Sequence, residues 1–208
     1  MADTGKVVLI TGGGSGMGRE AARRFAAEGA TVALFDVNAA GMAETVGSFA
    51  NIHAWTVDMT DFAAVCAAVR AVEEKLGPVE RLYNCAAIMP FGKLLEQDNA
   101  IIHRQMAINY GGLVNITQAV LPGMLQRGRG DFVSFASMAG LIPMLLTGAY
   151  TATKFAVVAF TETLYHENMN SGVRFACVCP PAVATPLLQQ GRDTAWPKML
   201  ESQGKPIA

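Results

Sequence analysis

Charged side chains are scarce in this chain: Asp, Glu, Lys and Arg make up 16% of its 208 residues, against about 25% in an average soluble domain. Neither sign dominates, since 16 Lys and Arg stand against 17 Asp and Glu for a net charge of -1. Such a surface has no field with which to hold a polyphosphate backbone, so nucleic acid is not an expected partner. Cysteine is sparse too. Cys66, Cys85, Cys177 and Cys179 are scattered, and the last two have neither a second pair nor a nearby histidine, which argues against a zinc or other metal site. No secretory core follows Met1, for only Val7 to Ile10 are apolar before Thr11 and Gly12; the thiols read as reduced and the chain as cytoplasmic. Two stretches, 105–126 and 132–153, lack any formal charge and could span a bilayer by length, but Asn, Gln, Ser, Thr, Gly and Pro interrupt both. They read as buried segments, not membrane spans.

Apolar residues are what the chain has in surplus, at 51%. At roughly 150 residues per domain the length suits a single domain with a large core, and the remaining apolar surface suggests a subunit interface. Short β-branched or apolar runs alternate with longer amphipathic ones, the pattern of βαβ units and a parallel sheet covered on both faces. Strands are expected at 6–11, 31–36, 52–58, 79–84, 131–137 and 173–179, and helices at about 16–28, 39–49, 61–76, 98–126 and 149–169. This is an α/β chain, a Rossmann-type doubly wound parallel sheet in three layers. Beyond residue 185, Pro186, Pro197, Gly204 and Pro206 are expected to break up the tail.

Thr11 to Gly18 reads TGGGSGMG between the first strand and the first helix. Backbone N–H groups and the helix dipole favour an anion there, and glycine permits close approach. The turn fails as a P-loop, because Arg19 and Glu20 stand where Lys and Ser or Thr are required. A turn that merely joins strand to helix is the alternative; the strand before and the helix after favour binding. Asp36 ends the second strand 18 residues after Gly18, where a carboxylate can accept from an adenosine ribose. A 2′-phosphate would meet a like charge with no Arg or Lys at 13–15 or 37–38 to compensate, so NAD(H) is expected over NADP(H). Asp36 could instead cap the local turn with Asn38.

Tyr150 and Lys154, four apart at the start of a helix, share one face. Ser137 closes a strand thirteen residues earlier, and Asn109 lies in the preceding helix among Met106, Ile108 and Leu113. With these residues in view the chain resembles the short-chain dehydrogenase/reductase family over about 6–190. TGGGSGMG resembles its cofactor turn (Gly12, Ser15, Gly16, Met17 and Gly18), Asp58 its acidic residue near adenine, and NCAA at 84–87 its NNAG motif. Asn109, Ser137, Tyr150 and Lys154 fall on its catalytic Asn, Ser, Tyr and Lys.

The resemblance implies an NAD(H)-dependent oxidoreductase of secondary alcohols and ketones. Tyr150 would be the general acid/base, Ser137 would orient the reacting oxygen, Lys154 would hold the nicotinamide ribose and Asn109 a water leading to solvent. It also implies cofactor contacts at Asn84, Ala86, Val183 and Thr185. For Tyr150 to serve near neutrality, its phenol would have to fall about 2 to 3 units from its usual value near 10. A hydrophobic substrate is expected from Met89, Pro90 and Phe91, from Met138, Leu141, Met144 and Thr147, and from Leu187, Leu188 and Trp196 around the cleft. Three positions depart from the family pattern: Cys85 and Ala87 within NCAA, and Pro181 where the family has Gly. The family usually adds a further helix and a seventh strand, whereas this sequence stops at Ala208. A dinucleotide-binding pseudoenzyme or interaction subunit is the alternative reading. The long, charge-poor helices are expected to pair across a two-fold axis as a homodimer or homotetramer.

Overall fold

The structure, a computed structural model, describes residues 4–202, with side chains to residue 194. Six strands alternate with helices: β1 (Val7–Thr11), α1 (Gly16–Ala27), β2 (Thr31–Asp36), α2 (Ala39–Val46), β3 (Ile52–Thr56), α3 (Phe62–Leu76), β4 (Val79–Asn84) and α4 (Asn99–Met106). A π-helical segment (Ala107–Gly111) joins α4 to α5 (Gly112–Arg127). Then come β5 (Gly130–Phe135), a 3-10 turn (Met138–Gly140), α6 (Gly148–Glu167), β6 (Val173–Val178) and α7 (Pro186–Ser202). The strands form one parallel sheet in the order β3-β2-β1-β4-β5-β6. This is the doubly wound Rossmann-type arrangement, and its order reverses between β1 and β4.

Each expected strand is present within a residue or two at its ends. All five residues of β1 are buried, which is why it reads as a continuous apolar run: a central parallel strand is covered on both faces. Successive side chains point to opposite faces. Val7 and Leu9 accordingly enter the layer formed with α3, α5 and α6, while Val8 and Ile10 enter the layer formed with α1 and α2. Leu9, Ile10, Leu34, Leu82 and Phe132 exclude solvent completely.

Two expectations need correction. The helix expected at 98–126 is not uniform, since five residues in its middle wind as a π-helix. Apolar spacing registers helical character but not one surplus residue. The tail expected to be broken by proline is helical from Pro186 to Ser202, running across Pro197. Pro186 is its first residue, where the missing N–H costs nothing because no intrahelical acceptor exists for it.

Candidate active site

The cleft opens where the sheet order reverses, above the ends of β1 and β4. It encloses about 280 Å³ and is lined by Gly12, Ser15, Gly16, Met17 and Gly18 on one side and by Asp36, Asp58, Ala86 and Thr185 on others. Gly12 has φ +70° and accepts no substitute side chain: a Cβ there would stand 2.8 Å from the Ala86 nitrogen. At Gly18 a Cβ would overlap the Gly12 carbonyl. The turn is braced from below, with the Thr45 hydroxyl donating to the Gly13 carbonyl (2.8 Å) and the Arg19 guanidinium to that of Gly14 (2.5 Å). Ser15 makes no side-chain cap bond to α1. The first-turn N–H groups of that helix, which have no intrahelical acceptor, are therefore available to an anion.

Asp36 makes the local turn contacts of the alternative reading and also borders the cleft. Its Oδ1 accepts from the Asn38 N–H and its Oδ2 from the Gly14 N–H, each at 2.9 Å, and it still lines the cleft. Asp58 accepts from the N–H (2.9 Å) and hydroxyl (2.8 Å) of Thr60. Those two bonds hold its carboxyl below the ordinary carboxylate value. Asn84 is buried, and its Oδ1 accepts from the Thr11 hydroxyl (2.7 Å), which in turn accepts from the Ala86 N–H (3.2 Å). Thr11 thus ties β1 to β4, a role that sequence reading missed because a threonine ending a strand carries no distinguishing signal.

A smaller hollow of about 100 Å³ adjoins the first and shares Met17, Thr185 and Leu187 with it. Ser137, Tyr150, Met89, Phe91, Met144, Thr147, Val183, Leu187 and Leu188 line it, as expected. Pro90 does not line it, nor do Met138 and Leu141, which are exposed; the side chain of Trp196 lies outside the described residues. The 3-10 turn after Ser137 carries these two side chains outward. Helix α7, absent from the sequence reading, closes the far side, with Gln190 accepting from the Met89 N–H (2.7 Å) and Thr194 from the Phe91 N–H (2.8 Å).

Tyr150 and Lys154 are 5% and 3% exposed. Burial pushes the Tyr150 phenol up to about 12, against a smaller lowering influence of the nearby Ser137 hydroxyl. That is the reverse of the lowering expected from sequence. Burial also lowers the Lys154 ammonium to about 8, with the thiols of Cys85, Cys177 and Cys179 acting in the other direction. Its Nζ donates to the Phe135 carbonyl (2.7 Å) and stands 5.5 Å from the centre of the Tyr150 ring. Asn109 lies in the π segment, buried. Its Oδ1 accepts from the Ile88 N–H (2.8 Å), and its Nδ2 donates to the Ile88 carbonyl (2.9 Å) and to the Thr153 hydroxyl (3.0 Å). The amide is thus fully engaged in fastening the chain after β4 to α6, one residue from Lys154.

The family model for short chain dehydrogenases matches residues 6–196. The chain belongs to that family. Short-chain dehydrogenases are oxidoreductases that bind a nicotinamide dinucleotide, and this chain's relatives fit that description. A protein of Xanthobacter autotrophicus named 2-(S)-hydroxypropyl-CoM dehydrogenase 3 is 37% identical over 199 residues, 91% of this chain and 77% of that protein. Among solved structures, a 3-ketoacyl-(acyl-carrier-protein) reductase from Brucella melitensis complexed with NADH has a TM-score of 0.86 at 30% identity, over 92% of this chain and 81% of that one. A variant of actinorhodin polyketide ketoreductase with NADPH has a TM-score of 0.87 at 32% identity, over 93% and 76%.

Proposed function

We propose that this short-chain dehydrogenase interconverts a hydrophobic secondary alcohol and its ketone, with NAD(H) preferred to NADP(H), Tyr150 as general acid/base and Ser137, Lys154 and Asn109 in support. The observation that carries the reading is that Ser137 and Tyr150 line the same hollow, with the buried Lys154 nitrogen 5.5 Å from the Tyr150 ring, where two clefts meet. When bound, the dinucleotide supplies the hydride acceptor or donor and, oxidised, a positive charge beside the phenol. Tyr150 takes the hydroxyl proton in oxidation and returns it in reduction. Ser137 donates to the same oxygen and fixes its direction. Lys154, anchored on the Phe135 carbonyl, holds a proton-donating group close to the ring; burial among the protein's own groups favours the protonated phenol, and the lowering that catalysis requires would come from the positive charge that the oxidised dinucleotide supplies. Asn109 is a positioning residue whose bonds to Ile88 and Thr153 set the height of α6 against the cleft. The assembled set favours turnover over a chain that only holds dinucleotide.

The cofactor preference rests on Asp36, whose carboxylate faces the cleft with no Lys or Arg at 37 or 38. The substrate class rests on the apolar lining of the smaller hollow. Replacing Tyr150 by Phe tests the mechanism: turnover of secondary alcohols is expected to fall about 100-fold to 10,000-fold, while the dissociation constant of NADH stays within a factor of two. Retained turnover would remove Tyr150 from the chemistry. Replacing Asp36 by Ala is expected to relax the ratio of NAD to NADP affinity; an unchanged ratio would refute its role.

A further inference from the structure

Among the residues lining the larger cleft, Arg104 alone is cationic. It is exposed on α4, and its guanidinium forms no hydrogen bond or ion pair with a described residue. The two carboxylates of the cleft are satisfied elsewhere, Asp36 by the Gly14 and Asn38 amides and Asp58 by Thr60. Arg104 lines the cleft together with Asp36, which ends β2, and Asp58, which follows β3 and feels its charge, whereas Tyr150 lines only the smaller hollow. Ile108 is four residues on, hence on the same helix face, and lines the same cleft together with Val37, Val57 and Met59. A planar, delocalised and unpartnered cation beside an apolar slot recognises a flat π system by stacking.

Resting on the dinucleotide reading of the cleft, we infer that Arg104 stacks on the adenine ring of the bound dinucleotide and closes that end of the cleft over it. The contact adds affinity for the adenosine half and is indifferent to a phosphate on the 2′ oxygen. Nothing in the motifs of the sequence marked Arg104, because an exposed arginine on an amphipathic helix is ordinarily a solvated one.

The test is calorimetric titration of the full chain and of its Arg104→Ala and Arg104→Lys variants with ADP-ribose, 2′-phospho-ADP-ribose and nicotinamide mononucleotide. For Arg104→Ala both adenine ligands are expected to weaken by one common factor, about threefold to thirtyfold, with the mononucleotide unchanged. Arg104→Lys, which keeps the charge and loses the plane, is expected to recover only part. Unchanged binding of ADP-ribose overturns the inference, as does an equal loss for the mononucleotide. A loss confined to the 2′-phosphorylated ligand overturns it too, and makes Arg104 a phosphate ligand. A wild-type chain that binds neither adenine ligand overturns the dinucleotide reading itself, and the stacking role with it.

Discussion

Lys154 is the residue on which the sequence and its folded surroundings disagree most usefully. An ammonium that titrates near 10.5 in an open chain does so near 8 once buried between α6 and the ends of β4 to β6. Between those values the unfolded chain binds more protons than the folded one, so this group makes stability rise with pH across that window. The free energy of unfolding of the wild type, measured by urea titration, is expected to gain on that of a Lys154→Met variant as pH is raised from 8 to 10.5; a constant difference would contradict it. Tyr150 works the other way above pH 10, since the folded state keeps its proton up to about 12. Gly12 shows a second kind of residue-scale constraint. Alanine there would be strained at φ +70° and would press its Cβ on the Ala86 backbone. Gly12→Ala is expected to destabilise by about 1 to 3 kcal/mol and to abolish dinucleotide binding, read by thermal unfolding with and without NADH. At this scale the sequence was informative wherever a residue type is dictated by chemistry: the glycines of the turn, Asp36, Ser137, Tyr150 and Lys154. It was silent on Thr11, Gln190 and Arg104, whose types fit a solvated surface equally well and acquire meaning only from what faces them.

At the scale of elements, strands were legible because burial on both faces forces continuous apolar runs, and their ends lie at turn residues such as Gly29 and Gly77. Helix α7 was hidden because two prolines suggested interruption where one begins the helix and the other is passed over. The π segment was hidden because its surplus residue leaves apolar spacing almost intact. It matters nonetheless, since Asn109 sits within it and one residue fewer would turn α4 relative to α5 by about a quarter turn or more. Deleting any one of residues 107–111 is therefore expected to impair turnover as severely as replacing Asn109, which steady-state kinetics on purified, folded variants would establish. Just upstream, Gln105 is wholly buried with neither end of its amide bonded. Because unsatisfied buried polar groups cost about 1 to 3 kcal/mol, Gln105→Met is expected to raise the unfolding midpoint; a lowered one would show that the amide has a partner.

For the molecule as a whole, the alternation of patterns announced a doubly wound sheet, but strand order is a property of crossovers that local spacing does not record. The apolar surplus is partly accounted for by Ile101 and Met106 on α4 and by Phe155 and Tyr165 on α6, all exposed. Paired across a two-fold axis, these faces are expected to give a dimer or a dimer of dimers by light scattering at micromolar concentration, and Phe155→Asp is expected to shift it towards monomer. No helix among the described residues is long and apolar enough to cross a membrane. The reversal of the sheet at β1 and β4 has one more effect. One wall of the cleft, from Gly12 to Asp58, comes from the first third of the chain, while Ala86, Arg104 and Thr185 come from the remainder. A ligand lodged there spans both stretches across the β1–β4 ladder, and at a hundred times its dissociation constant it would add about 2.7 kcal/mol against unfolding. Proteolysis of the chain is then expected to slow when NADH is added, with or without turnover.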